Sequence, residues 1–187
     1  MIVLPTDSLQ LYVAGLTDCR IADPESSLRE LRSHWPDLQL QLIRADRVAG
    51  AEHLQFAARN ALLAYGGKRR HARSLAVEFL LYASCTHQIS KAIERLGVTG
   101  KTRNVALAAF AKRDKDVEGL AEEAAHAVRG RLADSILEVS GKKIEGLMKA
   151  YGVTSKELEA AKVAKESNID ALKRLIIERS ALVAVEN

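Results

Sequence analysis

Cysteine is scarce in this sequence: Cys19 and Cys85 are the only two among 187 residues. That excludes a disulfide framework and leads us to expect a reducing, cytoplasmic setting. Proline occurs only at Pro5, Pro24 and Pro36, and no Ser/Pro/Gly-rich linker, internal repeat or low-complexity tract divides the chain. No apolar run approaches the ~20 residues that a bilayer-spanning helix needs. The opening MIVLPTDSLQ has no basic region and no long apolar stretch, so no secretory signal is expected. Aromatic residues make up only 4% of the chain, which restricts stacking on nucleobases to a few positions. The remainder, 48% hydrophobic and 28% charged, is the balance of an ordinary globular protein. At this length a single domain over residues 1–187 is expected, burying roughly 70% of the unfolded chain's surface.

The net charge of +4 hides an uneven distribution. Residues 1–66 carry six Lys/Arg against eight Asp/Glu, and residues 114–187 carry twelve against fourteen, so each stretch is at −2. Residues 67–113 carry ten against two, a surplus of +8. Charge concentrated in this way points to an anionic partner more strongly than a high isoelectric point does.

Elements of both kinds alternate along the chain. Residues 9–16 predict a short strand. Asp23-Pro24 predicts a helix start, with Leu28, Leu31 and Trp35 on one stripe that Pro36 ends. LQLQLI at 38–43 alternates with period two, and NVALAAFA at 104–111 predicts a buried strand. Residues 51–65 predict a helix with Leu54, Ala58, Leu62 and Tyr65 on one side. Phe56, Leu63 and Ala64 lie on its other sides, so more than one face should be covered. Ser74 caps an apolar helix, LAVEFLLYAS, and Ile89, Ile93 and Leu96 continue a helical stripe to Gly97. Val117 to Leu132 predicts one amphipathic helix, 135–139 is ambiguous, and 142–151 predicts a helix stopped by Gly152. Thr154 and Glu157 form a capping box, and a broadly apolar helix closes the chain from Ile169 to about Val183. The expected class is α+β: a small mixed, mostly antiparallel sheet packed by helices on both sides, ending in a C-terminal helix.

Four groups of residues tempt a chemical reading. GVTGKT at 97–102 resembles a phosphate-binding loop, but Arg95 stands where the first glycine belongs, and a helix precedes where a strand should. We expect a turn. Cys85 and His87 are two apart, a spacing that points side chains away from each other on a helix, so no nucleophile–base pair is expected. The histidines at 34, 53, 71, 87 and 126 form no i,i+4 pair and have no CxxC companion, so no metal or other cofactor is expected. Glu78, inside an almost wholly apolar helix, should be held by an ion pair or hydrogen bonds, with Arg59 as one partner.

A fifth group is basic. Lys68, Arg69, Arg70 and Arg73 surround His71 in GGKRRHAR. If the next helix starts by His87, then His87, Lys91 and Arg95 fall at i, i+4 and i+8, opposite Ile89, Ile93 and Leu96. Like charges at that spacing cost a few tenths of a kcal/mol, so folding gains nothing from them. Phosphate neutralisation would account for both features. Gln88 could add a hydrogen bond to a base edge or a 2′-hydroxyl.

RADRVAGAEHLQFAARNALLAY (44–65) and LAVEFLLYASCTHQISKAIERLG (75–97) resemble the KEOPS-complex subunit of the TPRKB family, which binds the kinase-like ATPase of that complex. YGVTSKELEAAK (151–162) and ALKRLIIERSALV (171–183) resemble the family's closing turn and C-terminal helix. The chain departs from the family at Cys85-Thr86-His87, where archaeal members tend to have Gly-Gln-Arg. The resemblance implies a non-catalytic subunit of the machinery that makes N6-threonylcarbamoyladenosine in tRNA. It implies two partners, the ATPase subunit and, as in archaeal members, the tRNA 3′ CCA end, with no small-molecule substrate and no membrane. The basic residues 68, 69, 70, 73, 91 and 95, with His87 and Gln88, then become the expected tRNA surface. Leu172, Leu175, Ile176, Arg179 and Leu182, along one flank of the last helix, become the expected partner surface once part of that flank has closed the core. Two other classes stay open: a kinase regulator without RNA contact, and a small enzyme using Glu78 or Cys85.

Overall fold

The alternating and continuous apolar runs assemble into one antiparallel sheet. In the computed structural model, which describes residues 1–6, 9–67 and 70–185, the elements follow in this order. First come β1 (Ile2–Pro5), β2 (Gln10–Thr17), α1 (Pro24–His34), β3 (Gln39–Arg44) and a 3-10 turn at Ala45–Arg47. Then come α2 (Ala51–Gly66), α3 (Leu75–Ala83), α4 (Ile89–Leu96), β4 (Val105–Ala111), α5 (Leu120–Ala127) and β5 (Arg131–Leu132). A second 3-10 turn at Asp134–Leu137 leads to α6 (Gly141–Tyr151), α7 (Ser155–Ala161) and α8 (Asn168–Leu182). The strand order is β1-β2-β4-β3, and β1 and β5 share the other edge of β2. All of the pairings are antiparallel, so no parallel pair joins the sheet of the described residues, although a mixed one was expected.

Both faces of the sheet are covered, as the α+β reading requires. Leu11, Val13, Ala106, Ala108 and Phe110 point to the face that α2, α3 and α4 cover. Phe110 meets Phe79 of α3 edge-to-face, with ring centroids 5.4 Å apart. Tyr12, Ala14, Leu16, Leu40, Leu107 and Ala109 point the other way, onto α1 and α5. β4 is buried along its whole length, which is why its sequence is a continuous apolar run. A third cluster, built on Leu147, Tyr151, Leu158, Leu172 and Ile176, joins α6, α7 and α8 beside α2. Burying each such Leu or Ile is worth roughly 1.5–3 kcal/mol.

Two expectations are corrected, and one strand lay outside them. The helix predicted from Val117 to Leu132 ends at Ala127. Arg129 takes a positive φ, and the N–H of Gly130 bonds to the Ala125 carbonyl at 2.8 Å, closing the helix end. A β-carbon on Gly130 would lie 2.8 Å from the Cys19 sulfur, so the chain can pass there only as glycine. Leu132 is then free to pair with Leu16 as β5. The strand β1 carries too short an apolar run to be read in sequence, and its place comes from pairing with β2. On α4, Ala92 and Leu96 are buried, whereas Ile89 and Ile93 are 45% and 55% exposed. The seat of α4 is set by its small residue and by Arg95, not by its isoleucines.

Candidate functional site

The basic loop is folded by an anion. Ser74 caps α3 by accepting from the N–H of Val77 at 3.3 Å, and one turn on, Glu78 has no exposed surface. Its carboxylate accepts the backbone N–H groups of His71 at 2.9 Å and Ala72 at 2.7 Å, and the His71 Nδ1–H at 3.0 Å. The expected hydrogen-bonded carboxylate is therefore present, but its partners are His71 and the loop backbone, not Arg59. The Tyr65 hydroxyl donates to the Arg73 carbonyl at 3.2 Å, and the Arg70 guanidinium lies 5.9 Å from the centre of the Tyr65 ring. With its backbone tied down, the loop exposes Arg70 and Arg73. Lys68 and Arg69 lie outside the described residues.

The second expected basic group is arranged differently. α4 starts at Ile89, so His87 and Gln88 precede the helix and the regular stripe from His87 is not formed. Both are exposed, and the Gln88 N–H bonds to Thr86 Oγ1 at 3.2 Å. Lys91 is exposed, while Arg95 turns inward, donates to the Ser84 carbonyl and lies 5.3 Å from the centre of the Tyr151 ring. Lys91 and Arg95 line a cleft of about 310 Å³ together with Arg44, Arg47 and Lys149, with Glu94 as its one lining carboxylate. Neither Arg70 nor Arg73 lines it. Among the described residues no hydrogen bond, ion pair or ring contact joins Arg70 or Arg73 to Lys91 or Arg95. Arg44, Arg47 and Lys149 escaped sequence reasoning because they come from a strand end, a 3-10 turn and a helix end remote from residue 91.

Cys85 does not have the character of a nucleophile. It adopts a left-handed backbone at φ 55°, its thiol donates to the Ile176 carbonyl at 3.4 Å, and burial pushes the thiol up to about 12. The GVTGKT segment is a turn, closed by Thr102 Oγ1 accepting the Thr99 N–H at 2.9 Å. Among the described residues no group of three His, Cys, Asp or Glu could hold a metal ion, and no helix is long and apolar enough to cross a membrane.

Of the expected partner flank, Leu172, Leu175 and Ile176 belong to the part that closes the core. The guanidinium of Arg179 binds the Tyr151 carbonyl and the Glu157 carboxylate, the latter at 2.6 Å, and holds that carboxyl below its usual range. Leu182 is half exposed. The larger apolar surface is on α2: Phe56 and Leu63, seven residues apart on one stripe, are 42% and 66% exposed. This reverses, at Phe56 and Leu63, the expectation that those faces are covered, whereas Ala64 packs against the core. Phe56 borders a groove of about 320 Å³ against Lys173, Arg174 and Ile177 of α8. The signal was in the sequence, since Phe56 and Leu63 fall outside the buried stripe of their helix.

A family model described as kinase binding protein CGI-121 matches residues 20–184 of the chain. Comparison with curated proteins finds no match.

Proposed function

Because the chain belongs to the family of kinase binding protein CGI-121, we propose that it is a non-catalytic KEOPS subunit that holds the kinase-like ATPase and the tRNA 3′ CCA end. In this reading it supports formation of N6-threonylcarbamoyladenosine while the chemistry takes place on other subunits. The observation that carries the kinase half is the exposed pair Phe56 and Leu63 on one stripe of α2, of which Phe56 lines the groove against α8. Large apolar side chains seven residues apart on one helix stripe are the anchor spacing by which a helix face docks on a partner. Leu182 is also exposed, at the end of α8, whereas Leu172, Leu175 and Ile176 are held in the core. The RNA half rests on the central charge surplus and on the cations at 70, 73, 91 and 95 that the fold leaves accessible in whole or in part.

The test is co-elution with the kinase-like ATPase. A Phe56→Glu/Leu63→Glu variant with unchanged circular dichroism should lose at least about thirtyfold in affinity, the effect of removing hot-spot anchors worth ~2 kcal/mol. Undiminished binding would mean that the docking face lies elsewhere. Filter binding of intact against CCA-trimmed tRNA tests the other half: equal affinities would leave a kinase regulator that makes no contact with the tRNA end.

A further inference from the structure

We infer that the cleft between β3, α4 and the end of α6 is a binding site for phosphoryl oxyanions. Five cations line it, Arg44, Arg47, Lys91, Arg95 and Lys149, against the single carboxylate of Glu94. Asp46 neutralises one more charge from outside the cleft, bonding to Arg44 at 2.8 and 3.2 Å and lying 3.4 Å from Arg47. The ends of α4 and α6 are also here, since Arg95 and Lys149 stand in their last turns, and each helix end contributes about half a negative charge. Roughly two positive charges remain unmatched. Folding alone gives no reason to bring them together, because like charges gathered at one place repel.

The arginines are set in position in advance. Arg44 is braced by Asp46, Arg47 also donates to the Gly146 carbonyl, and Arg95 is fixed by Ser84 and the Tyr151 ring. Such bracing lowers the entropy that binding would otherwise cost. Lys91 and Lys149 have no ion-pair or hydrogen-bond partner among the described residues and are left to close on the ligand. A surplus near +2 suits one phosphate dianion or two neighbouring phosphodiesters. With the tRNA reading of the previous section, on which this choice of source rests, the phosphates are those of an RNA strand.

The test uses inorganic pyrophosphate and a tRNA transcript as probes of the full chain and of a Lys91→Ala/Lys149→Ala variant. Pyrophosphate should shift the backbone amide resonances of Arg47, Arg95 and Lys149, with at least tenfold weaker binding in the variant. For tRNA, the slope of log affinity against log salt should flatten by about 1.4 in the variant, at ~0.7 per single-strand phosphate lost. An Arg70→Ala/Arg73→Ala variant should keep its pyrophosphate affinity. If the parent binds pyrophosphate here but no tRNA, the site stands with a free phosphate ligand and the tRNA reading falls. If the parent binds tRNA while the lysine variant retains affinity, slope and pyrophosphate response, the site is overturned and the tRNA reading survives. Absence of pyrophosphate binding to the parent, with an unchanged tRNA slope in the variant, also overturns it.

Discussion

The two ends of α3 hold their surroundings with opposite chemistry. Near its start, the buried Glu78 carboxylate draws three N–H groups of the preceding loop onto the helix. At its finish, carbonyls that a helix end leaves unpaired do the accepting. The Ala83 carbonyl receives His53 Nε2–H at 2.9 Å and lies 3.0 Å from the Tyr151 hydroxyl, and the Ser84 carbonyl receives Arg95. Both ends satisfy polar groups that burial would strand, but they fix different things. The first fixes a loop contiguous in sequence and leaves Arg70 and Arg73 facing water. The second ties together α2, α4 and α6, three remote segments, and sets Arg95 on the wall of the cationic cleft. A run of basic letters therefore marks one concentration of positive charge, and the fold builds another.

The largest break in this comparison should come from the anion. Glu78→Ala strands the backbone donors of His71 and Ala72 and the His71 ring N–H, and should cost about 3–5 kcal/mol, at ~1–3 kcal/mol for each donor left unpaired. Urea unfolding measures it. A loss below 1 kcal/mol would show that the loop does not depend on this carboxylate.

The far end should respond to acid. His53 is completely buried, and its Nδ1 accepts the Ala49 N–H at 3.2 Å while Nε2–H faces Ala83, so the ring is held neutral. Burial lowers its pKa from 6.5 to about 4. The folded pKa lies below the unfolded one, so this contribution is complete above pH 6.5 and is lost as pH falls towards 4. The amount at stake is about 3 kcal/mol, at ~1.4 kcal/mol per pH unit. Stability measured from pH 7 to 4 should fall more steeply in the parent than in a His53→Gln variant. Parallel profiles would remove His53 from the account.

Tyr151→Phe should have a smaller effect, about 1 kcal/mol, the usual worth of one hydrogen bond. The hydroxyl lies 2.8 Å from the Arg47 carbonyl and 3.0 Å from that of Ala83, and its single proton serves one of them at a time. Ala83 keeps His53, so Arg47 is the group left exposed to the loss. Because the Tyr151 ring also supports Arg95, the variant should retain the cleft; a collapse in pyrophosphate affinity would contradict this.

What could be read from sequence divides along the same line. Contacts between near neighbours were legible: the Asp23 cap, the Thr154–Glu157 capping box and the buried run of β4 all stand as expected. The basic loop was visible as a charge run, and Glu78 as a carboxylate needing partners, although two of its three partners were backbone groups that carry no letter of their own. The cleft was not legible. Its cations come from residues 44, 47, 91, 95 and 149, and only the closure of β3 and α6 onto α4 brings them together. The face of α4 was misread for a related reason, because hydrophobic periodicity marks an apolar stripe but not which flank a neighbouring ring and carbonyl will claim.

The smallest effect should come from the charges that first draw the eye. Arg70 and Arg73 are exposed, and what the fold takes from Arg73 is its backbone carbonyl, which alanine also supplies. Arg70 gives up only a contact with the Tyr65 ring at 5.9 Å, worth about 0.5–1 kcal/mol at an exposed site. Replacing both with alanine should therefore lower stability by no more than ~1 kcal/mol. Arg95→Ala, made in parallel, uncovers the Ser84 carbonyl and the Tyr151 ring together and should cost more than the pair. Chemical denaturation of the two variants side by side decides it. A double variant less stable than Arg95→Ala would mean that the loop's side chains, and not only its backbone, hold the start of α3, and the contrast between the two ends would be lost.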